Sequence, residues 1–564
     1  MKTKQLLIGA FALLSLAACS DDKDPGFSPS NGAQKAKITL DIMSAGSLSR
    51  AQAPDDDQFE FGTAAESEIK SAVIVFYDSQ KNPMQAIPVP GSDFKGNETS
   101  APNEELRKKV ELEVALANGQ YPSFVMVYVN PINSADVDFA LTPEVIATKT
   151  RDKFMGDANS FAMNNSVYFA EDGTLMREVA VSKENFYQTE AEKEAAPEVK
   201  IHIERVAGKV TLKPSTGTDL GTQEGEISGK KLVFTPVSWG VNAVAKKFYL
   251  IKRFSYTNEA PTLAWLEENF KSFFVNHPGY YRSYWAVSPH YAFPMTGDKI
   301  DVSKYPYVSD DVENDNYLRY FSWNQFTGNV ESGSRKIEIG KSTYTMENTV
   351  HSTMYNTQQA EINKNAALVS AVVLGQYTVD GENVDFYVFG GNIYLEQDYI
   401  KAMAKLVDQI VVHADGTPLT DKEGEADDLN AIFEIKHPKT NIGGLNKDQV
   451  EENKVTIQLK SSVDKAKYAY NNGGETPVAI TDANLAEINE KIQTLCGLAS
   501  AYTKGMAYFN VPIRHLGSRA SEDAAWPAGS FGVVRNHSYV ISVDGFADLS
   551  TATLGHGVLD PDKP

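Results

Sequence analysis

Residues 37–42 read Lys37-Ile38-Thr39-Leu40-Asp41-Ile42, an alternation of polar and apolar side chains. Successive side chains of a β-strand point to opposite faces, so apolar residues at every second position predict a strand with one buried face. The residues expected on that face are Ile38, Leu40 and Ile42. A polar, glycine-containing stretch follows and runs through Arg50. The pattern therefore predicts an isolated strand that is attached by an exposed loop.

The chain upstream of this strand has the order of a secretion signal. Lys2 and Lys4 precede an apolar run, and the run ends in Leu16-Ala17-Ala18-Cys19. Such a run is too short to span a bilayer, whereas small residues before a cysteine suit a lipoprotein signal peptidase. We therefore expect residues 1–19 to be a lipoprotein signal peptide, with Cys19 acylated and held at the membrane by its lipid.

Length, charge and cysteine content exclude several classes of protein. A chain of 564 residues is long enough for two or more domains. Its formal net charge of -21 argues against nucleic acid and anionic lipid as partners, because neither is attracted to an acidic surface. The cysteines are Cys19 and Cys496, so lipid on Cys19 leaves no pair for a disulfide. Hydrophobic cores and backbone hydrogen bonds are expected to hold the fold.

Strand-like segments recur along the chain, with short helices between them. Residues 72–77 and 124–130 are rich in the β-branched and aromatic side chains that favour strands. Residues 190–197 include no apolar side chain large enough to anchor them in a core, and we place a domain boundary there. The predicted organisation is a propeptide over residues 20–50, an N-terminal β-domain over 51–195 and a C-terminal β-domain over 196–564.

One helix is indicated clearly in the C-terminal part. Leu485, Ile488, Ile492 and Leu495 recur at the spacing of an apolar helical stripe, and Gly497 follows at a position that commonly ends a helix. Strand patterns dominate elsewhere. The sequence therefore predicts a mainly β fold with short helices.

The sequence contains no recognisable motif of a catalytic or metal-binding site. Its nine histidines are scattered without H-E-x-x-H spacing, and there is no phosphate loop or nucleophile elbow. The acidic run of residues 310–315 lacks the central glycine and terminal glutamate of a calcium loop, which favours a solvated loop. We expect no catalytic residue, no metal site and no cofactor, and a protein that is not an enzyme.

Two aromatic clusters, residues 280–285 and 320–323, have side chains that could stack on sugar rings. In a strand-rich protein such clusters more often fill a core or cover a sheet, and packing is the favoured interpretation. Glycan binding stays open, which leaves a monomeric glycan-binding lipoprotein of the cell surface as the alternative function.

Several motifs, in order along the chain, resemble those of one protein family. They are Ser49-Arg50-Ala51, residues 161–165, 203–210, 284–289, 346–349 and 532–539. Their order and spacing are similar to those of the fimbrillins of Bacteroidetes-type bacteria, in the branch of the minor-fimbria major subunits. The acidic residues 20–24, after Cys19, also resemble the signal that sends lipoproteins of these bacteria to the cell surface.

The resemblance implies two transthyretin-like β-sandwich domains with short helical insertions, polymerised into a type V pilus that supports adhesion. It implies that an arginine-specific protease cuts between Arg50 and Ala51. The strand that carries Ile38, Leu40 and Ile42 then leaves the sheet, and an extended segment of another fimbrial subunit takes its place. Further implied partners are receptors on host or bacterial surfaces, and the outer membrane, which the lipid contacts during export.

Fimbrillins of this kind continue beyond the region similar to residues 554–558 into a proline-rich spacer and a final donor strand. This sequence ends at Pro564. The sequence leaves open whether a donor strand follows and whether the subunit belongs to the shaft or the tip. It also leaves open the receptor and any binding of glycan or calcium.

Overall fold

The computed structural model describes the chain in segments. These are residues 34–44, 63, 65–96, 107–130, 145–147, 161–170, 175–217, 220–227, 229–245, 247–253, 274–277, 280–283, 286–289, 295–296, 299–300, 318–319, 336–349, 368–419, 429–438, 453–515, 531–546, 549 and 551–552. Cys19, Arg50 and Ala51 lie outside them, as do residues 310–315, 320–323 and 554–558. Within these segments, no helix has the length and apolar character needed to cross a membrane.

Most N-terminal strands join one large sheet. In chain order the strands are β1 (Gln34–Ser44), β2 (Ser71–Tyr77), β3 (Pro83–Pro90), β4 (Lys95–Gly96), β5 (Arg107–Leu116), β6 (Phe124–Val129), β7 (Val145–Ala147), β8 (Met163–Asn165), β9 (Tyr168–Ala170), β10 (Leu175–Met176), β11 (Val179–Ala180), β12 (Phe186–Tyr187) and β13 (Val199–Arg205). Helix α1 (Glu190–Lys193) lies between β12 and β13. The sheet order is β3-β2-β6-β8-β13-β1-β5-β4, with β11 beside β6 and β12 beside β1.

This sheet folds over itself, so that strands far apart in its order share one hydrophobic core. Leu40 of β1 and Leu112 of β5 are buried in the same cluster as Ile74 of β2 and Val127 of β6. Each of these side chains lies on the inward face of its strand, as the period of two requires. The N-terminal part is therefore a β-sandwich with β1 inside it.

The next strands lead into a second group of sheets. They are β14 (Ala207–Pro214), β15 (Gln223–Ile227), β16 (Lys230–Asn242), β17 (Val244–Ala245), β18 (Lys247–Tyr249), β19 (Phe274–His277), β20 (Tyr280–Ser283), β21 (Met295–Thr296), β22 (Lys299–Ile300), β23 (Leu318–Arg319), β24 (Ser342–Met346) and β25 (Asn348–Thr349). Small sheets pair β17 with β23, β18 with β7, and β21 with β22, while β10, β9, β20 and β19 form a sheet in that order.

The remaining strands and helices complete the chain. The strands are β26 (Ser370–Val379), β27 (Phe386–Phe389), β28 (Asn392–Leu395), β29 (Val411–His413), β30 (Phe433–Lys436), β31 (Lys454–Leu459), β32 (Tyr468–Tyr470), β33 (Val478–Ala479), β34 (Ala499–Tyr502), β35 (Met506–Pro512), β36 (Gly532–Val533), β37 (Ser538–Val543) and β38 (Thr551–Ala552). The helices are α2 (Glu396–Val407), α3 (Leu429–Ile432) and α4 (Leu485–Cys496).

Two of these sheets pack face to face as a second sandwich. One has the order β24-β14-β37 and the other β15-β16-β26-β35-β38. Val210 and Leu212 of β14 are buried with Trp239 of β16 and Val372 of β26 in the core between them. The expectation of a mainly β fold, built of sandwich domains with short helices, is confirmed.

A further unit is inserted in the second sandwich and was not predicted. β26 and β35 are paired neighbours, yet the chain between them forms its own sheet, of order β28-β27-β34-β31-β30, with a separate core that includes Tyr399 and Ile488. Helix α4 ends at Gly497 (φ 68°), as the sequence predicts. Its buried face includes Cys496, however, while Leu495 is 52% exposed.

The division between the two sandwiches differs from the expected one. β13 pairs parallel with β1 and antiparallel with β8, so residues 199–205 complete the first sheet, whereas the composition of residues 190–197 predicts a C-terminal domain from residue 196. The exposed residues 190–197 connect strands β12 and β13 of the same sheet. Missing apolar anchors indicate an exposed connection, which need not separate domains. The second sandwich begins at Ala207. Gly208 packs so closely against a neighbouring strand that an added Cβ would lie only 2.4 Å from Val533 Cγ1.

Candidate functional site: the N-terminal strand

Strand β1 occupies an interior position of the first sheet. It pairs antiparallel with β5, from Gln34 opposite Leu116 to Met43 opposite Arg107. On its other side it pairs parallel with β13 along its C-terminal half and antiparallel with β12 at Lys37 and Ile38. Both edges of β1 are therefore hydrogen-bonded. We call the position that β1 fills, between β5 and β13, the β1 groove.

The inward face of β1 is apolar and fully enclosed. Ile38, Leu40 and Ile42 are each 0% exposed, and Ala36 is 2% exposed. They lie in the cluster that contains Val110, Leu112, Val114 and Ile201 of the flanking strands. Burying each large apolar side chain is worth roughly 1.5–3 kcal/mol, so an empty groove exposes a costly apolar surface. The sequence correctly predicted the strand and its buried side chains.

The outward face of β1 carries charged and polar residues, each with a partner. Lys35 Nζ lies 2.6 Å from Glu113 Oε1, and Lys37 Nζ lies 3.0 Å from Glu111 Oε1. Thr39 Oγ1 lies 2.9 Å from the Tyr187 hydroxyl. The side chains that face β1 on this side are called the polar wall, which consists of Glu113, Glu111, Tyr187 and Arg107.

Asp41 makes the most enclosed of these contacts. Its carboxylate is 0% exposed and receives hydrogen bonds from Arg107 Nε at 3.0 and 3.1 Å and from Nη2 at 2.5 Å. A carboxylate removed from water needs charge-assisted hydrogen bonds of this kind, because an unpaired one is strongly destabilising. The alternation of residues 37–42 predicts that Asp41 lies on the polar face but does not identify its partner, since Arg107 is remote along the chain and only the sheet register brings it close.

Glu111 joins β1 to the neighbouring elements. Its carboxylate receives hydrogen bonds from Lys193 Nζ at 2.5 Å, the Tyr187 hydroxyl at 2.7 Å and Lys37 Nζ at 3.0 Å. The hydrogen bonds from Lys193, Tyr187 and Lys37 lower the pKa of Glu111 from 4.5 to about 2. Because the Tyr187 hydroxyl donates its proton to Glu111, it accepts from Thr39. The outward face is therefore tied to β5, β12 and helix α1.

The other residues singled out in the sequence do not form a site with β1. Cys19, Arg50 and Ala51 are outside the described segments. Cys496 is buried in the inserted unit, and desolvation raises the pKa of its thiol to about 12, so it is not a reactive thiolate. In the part of the chain that the structure describes, no three His, Cys, Asp or Glu side chains are grouped so that they could hold a metal ion.

Comparison with known families identifies the C-terminal part. Residues 500–563 match the family model described as "Major fimbrial subunit protein type IV, Fimbrillin, C-terminal". Residues 500–563 are therefore similar to the C-terminal region of fimbrillins. The resemblance to the fimbrillins is thereby confirmed. The match begins in β34 and includes β35 and β37, so the matched segment supplies strands to both sheets of the second sandwich. No curated protein matches the sequence.

Solved structures give weaker similarity. A fimbrial assembly protein from Parabacteroides distasonis is 11% identical, over 62% of this chain and 99% of its own, with a TM-score of 0.25. The tip fimbrial protein Mfa3 from Porphyromonas gingivalis, in a form with a C-terminal truncation, is 11% identical, over 64% of this chain and 87% of its own, with a TM-score of 0.25. Scores below 0.5 do not by themselves establish a common fold.

Proposed function

We propose that this fimbrillin-related protein is a structural subunit of a cell-surface fimbria, a type V pilus that supports adhesion. The subunit is exported as a lipoprotein through Cys19, cut after Arg50 by an arginine-specific protease, and polymerised by strand exchange. The family match to residues 500–563 supports a structural rather than catalytic role. The observation that carries the proposal is the position of β1, which is interior to the sheet and yet the first described strand of the chain.

Cleavage after Arg50 changes how β1 is held. In the intact chain, residues 45–62 tether β1 to the rest of the domain and keep its effective concentration high. After cleavage, β1 is a separate peptide that only its contacts with β5, β12 and β13 retain. Once the β1 peptide has dissociated, no covalent link holds it near the groove and returns it there. The β1 groove then becomes available to another strand.

An emptied groove is a strong acceptor for an extended segment. The inner edges of β5 and β13 then present unpaired backbone groups, and the pockets of Ile38, Leu40 and Ile42 present apolar surface. A strand from another fimbrial subunit restores both sets of interactions. Strand exchange thus links subunits through the same contacts that β1 makes in the precursor.

The lipid on Cys19 places the precursor in the outer membrane during export. Because Cys19 and β1 both precede Arg50, the cut separates the lipid anchor and the strand from the rest of the subunit in one step. Receptors on host or bacterial surfaces would then meet the polymer. No observation on the described residues favours the monomeric glycan-binding alternative.

The test is to replace Arg50 and follow both processing and assembly. The wild-type protein, treated with an arginine-specific protease, should begin at Ala51 and form a ladder of oligomers on a mild gel. Arg50→Ala should keep its first strand and stay monomeric. Arg50→Lys is the matched control, since it keeps the charge, resists the arginine-specific enzyme and regains cleavage and assembly with a lysine-specific one. An Arg50→Ala protein that loses β1 and still polymerises would refute the proposal.

A further inference from the structure

We propose that the polar wall of the β1 groove sets the register of the strand that replaces β1. The occupant presents basic side chains to Glu113 and Glu111 and an acidic side chain to Arg107. This inference rests on the proposed strand exchange and specifies the chemistry of the partner: an extended segment of another subunit in which these charges alternate with apolar residues.

The apolar face of the groove cannot fix the register alone. A one-residue shift turns every apolar side chain of a strand to the wrong face, so it is excluded. A two-residue shift keeps the same faces, because the side-chain period of a strand is two. Ala36, Ile38, Leu40 and Ile42 form a regular apolar series, and a strand displaced by two positions would still fill most of their pockets.

The charges of the polar wall distinguish these shifted registers. Glu113 and Glu111 lie at the end that receives Lys35 and Lys37, and Arg107 lies at the end that receives Asp41. The groove is therefore negative at one end and positive at the other. A strand that enters with its acidic residue at the negative end meets like charge and lacks the partner it needs.

The native register shows what each shift removes. Thr39 lies opposite Glu111 and Asp41 opposite Lys109. A shift by two residues in one direction brings Asp41 to the place of Thr39, beside the carboxylate of Glu111. The opposite shift brings Thr39 to the buried place of Asp41. The first shift puts Met43 at the place of Asp41 and so removes the carboxylate that accepts the hydrogen bonds of Arg107. The opposite shift carries Asp41 to the place of Met43, opposite Arg107, and leaves the uncharged Thr39 at the enclosed place where Arg107 is bound in the native register.

Burial ranks the contributions along the polar wall. The Lys35–Glu113 pair is more than half exposed on both sides, and solvent weakens such pairs. Asp41 is 0% exposed, so a side chain at its position is withdrawn from water and must match Arg107. The position of Asp41 should therefore dominate the selection, with Lys37 next and Lys35 last.

The experiment uses synthetic peptides of residues 34–44 as probes. The protein is cut after Arg50, the N-terminal peptide is displaced in mild denaturant, and the emptied protein is titrated with fluorescent peptide. The wild-type peptide should bind. An Asp41→Lys peptide should bind about 100-fold more weakly, because it places a buried cation against Arg107. A Gln34→Ala peptide is the matched control, since Gln34 is exposed at the strand end, and it should bind like wild type.

Exchanging the charges of Asp41 and Arg107 shows whether the pairing of these charges, and not merely the number of contacts, determines binding. On protein carrying Arg107→Glu, the order of affinities should reverse, with the Asp41→Lys peptide binding more tightly than wild type. The matched combinations are the wild-type peptide with wild-type protein and the Asp41→Lys peptide with Arg107→Glu protein. A photo-crosslinker at Thr39 of the peptide should label β5 around Glu111 in these two. In the mismatched combinations the labelled position should move by two residues.

The outcomes distinguish the two proposals. If the wild-type peptide does not bind to the emptied protein, strand exchange itself fails. If it binds but Asp41→Lys binds equally well, with the same crosslink and no reversal on Arg107→Glu, strand exchange stands and register selection by the polar wall is refuted.

Discussion

Strands β1 and β14 occupy corresponding places in the two sandwiches. Each lies between an antiparallel neighbour and a parallel one: β5 and β13 for β1, β24 and β37 for β14. Each buries large apolar side chains completely, such as Leu40 in β1 and Val210 in β14. The difference is in the chain attachments. β14 follows β13 after a single residue, Val206, whereas residues 45–62 separate β1 from the next described position.

Under the proposed strand exchange, this difference makes β1, and not β14, the strand that can be replaced. β14 cannot leave its sheet without pulling on β13, which is an interior strand of the first sheet. β1 can leave once the chain is cut between it and Thr63. Two strands that are equally buried therefore need not be equally able to dissociate, because the covalent connection of each strand to the rest of the chain also matters.

The largest expected effect comes from placing a carboxylate inside each sandwich. Leu40→Asp and Val210→Asp both bury an unpaired charge, and each should lower the free energy of unfolding of the intact protein by about 4–5 kcal/mol. After cleavage at Arg50 and loss of β1, the Leu40→Asp protein should unfold like wild type, while Val210→Asp stays destabilised. Thermal unfolding of both forms measures this. Persistent destabilisation by Leu40→Asp in the cut protein would mean that β1 does not leave.

A second comparison uses the ion pairs of the two regions. Arg535 and Glu347 are 0% and 1% exposed and lie 2.5 Å apart, so Glu347→Ala should cost about 3–5 kcal/mol in both intact and cut protein. Arg107→Ala should cost about 2 kcal/mol in the intact protein, since Arg107 is half exposed, and nothing once Asp41 has gone. Denaturant unfolding before and after cleavage separates the two. An equal cost of Arg107→Ala in both forms would contradict the account.

A pH dependence of stability should arise from Glu111 in the intact protein. The pKa of Glu111 is 4.5 ordinarily and about 2 in the fold. A lowered folded-state pKa gives stability that is complete above pH 4.5 and is lost as the pH falls towards 2. Allowing for solvent screening, this amounts to about 1 kcal/mol. Unfolding of wild type and Glu111→Gln should therefore differ at pH 7 and converge near pH 2, with Glu113→Gln as the charge-matched control. A constant difference across this range would exclude the mechanism.

The smallest expected effect concerns the connection before β13. Thr189 caps helix α1, its hydroxyl accepting a hydrogen bond from the Glu192 amide at 3.3 Å. Thr189→Ala should weaken this cap by about 0.5–1 kcal/mol and speed limited proteolysis between Glu190 and Glu198 about two- to fivefold. First cleavage inside β6 in either protein would show that the connection is not the weakest point of the first sandwich.

Prediction from sequence succeeded where a local period reports burial. The alternation around Ile38, Leu40 and Ile42 fixed both the strand and its inward face, and the stripe of Ile488 and Ile492 fixed helix α4. These signals are local, since they need only the spacing of apolar residues within one element.

Prediction failed where the answer depends on long-range pairing. Nothing in residues 199–205 shows that they pair with β1 and complete the first sheet. Likewise, nothing near residue 380 shows that the next strand to pair with β26 is β35, which follows an inserted unit. The contact of Asp41 with Arg107 has the same character. Such contacts follow from the register between paired strands. The spacing of apolar residues along one strand does not determine that register.

Hydrogen exchange of the backbone amides of β5 tests the central claim most directly. In the intact protein, β5 is covered by β1 and should be protected. In the monomer that has lost residues 1–50, β5 should exchange rapidly, and in the polymer it should be protected again. The amides of β24, which face the permanently attached β14, should stay protected in all three forms. If β5 remains protected in the cut monomer, or exchanges rapidly in the polymer, the β1 groove is not where subunits join.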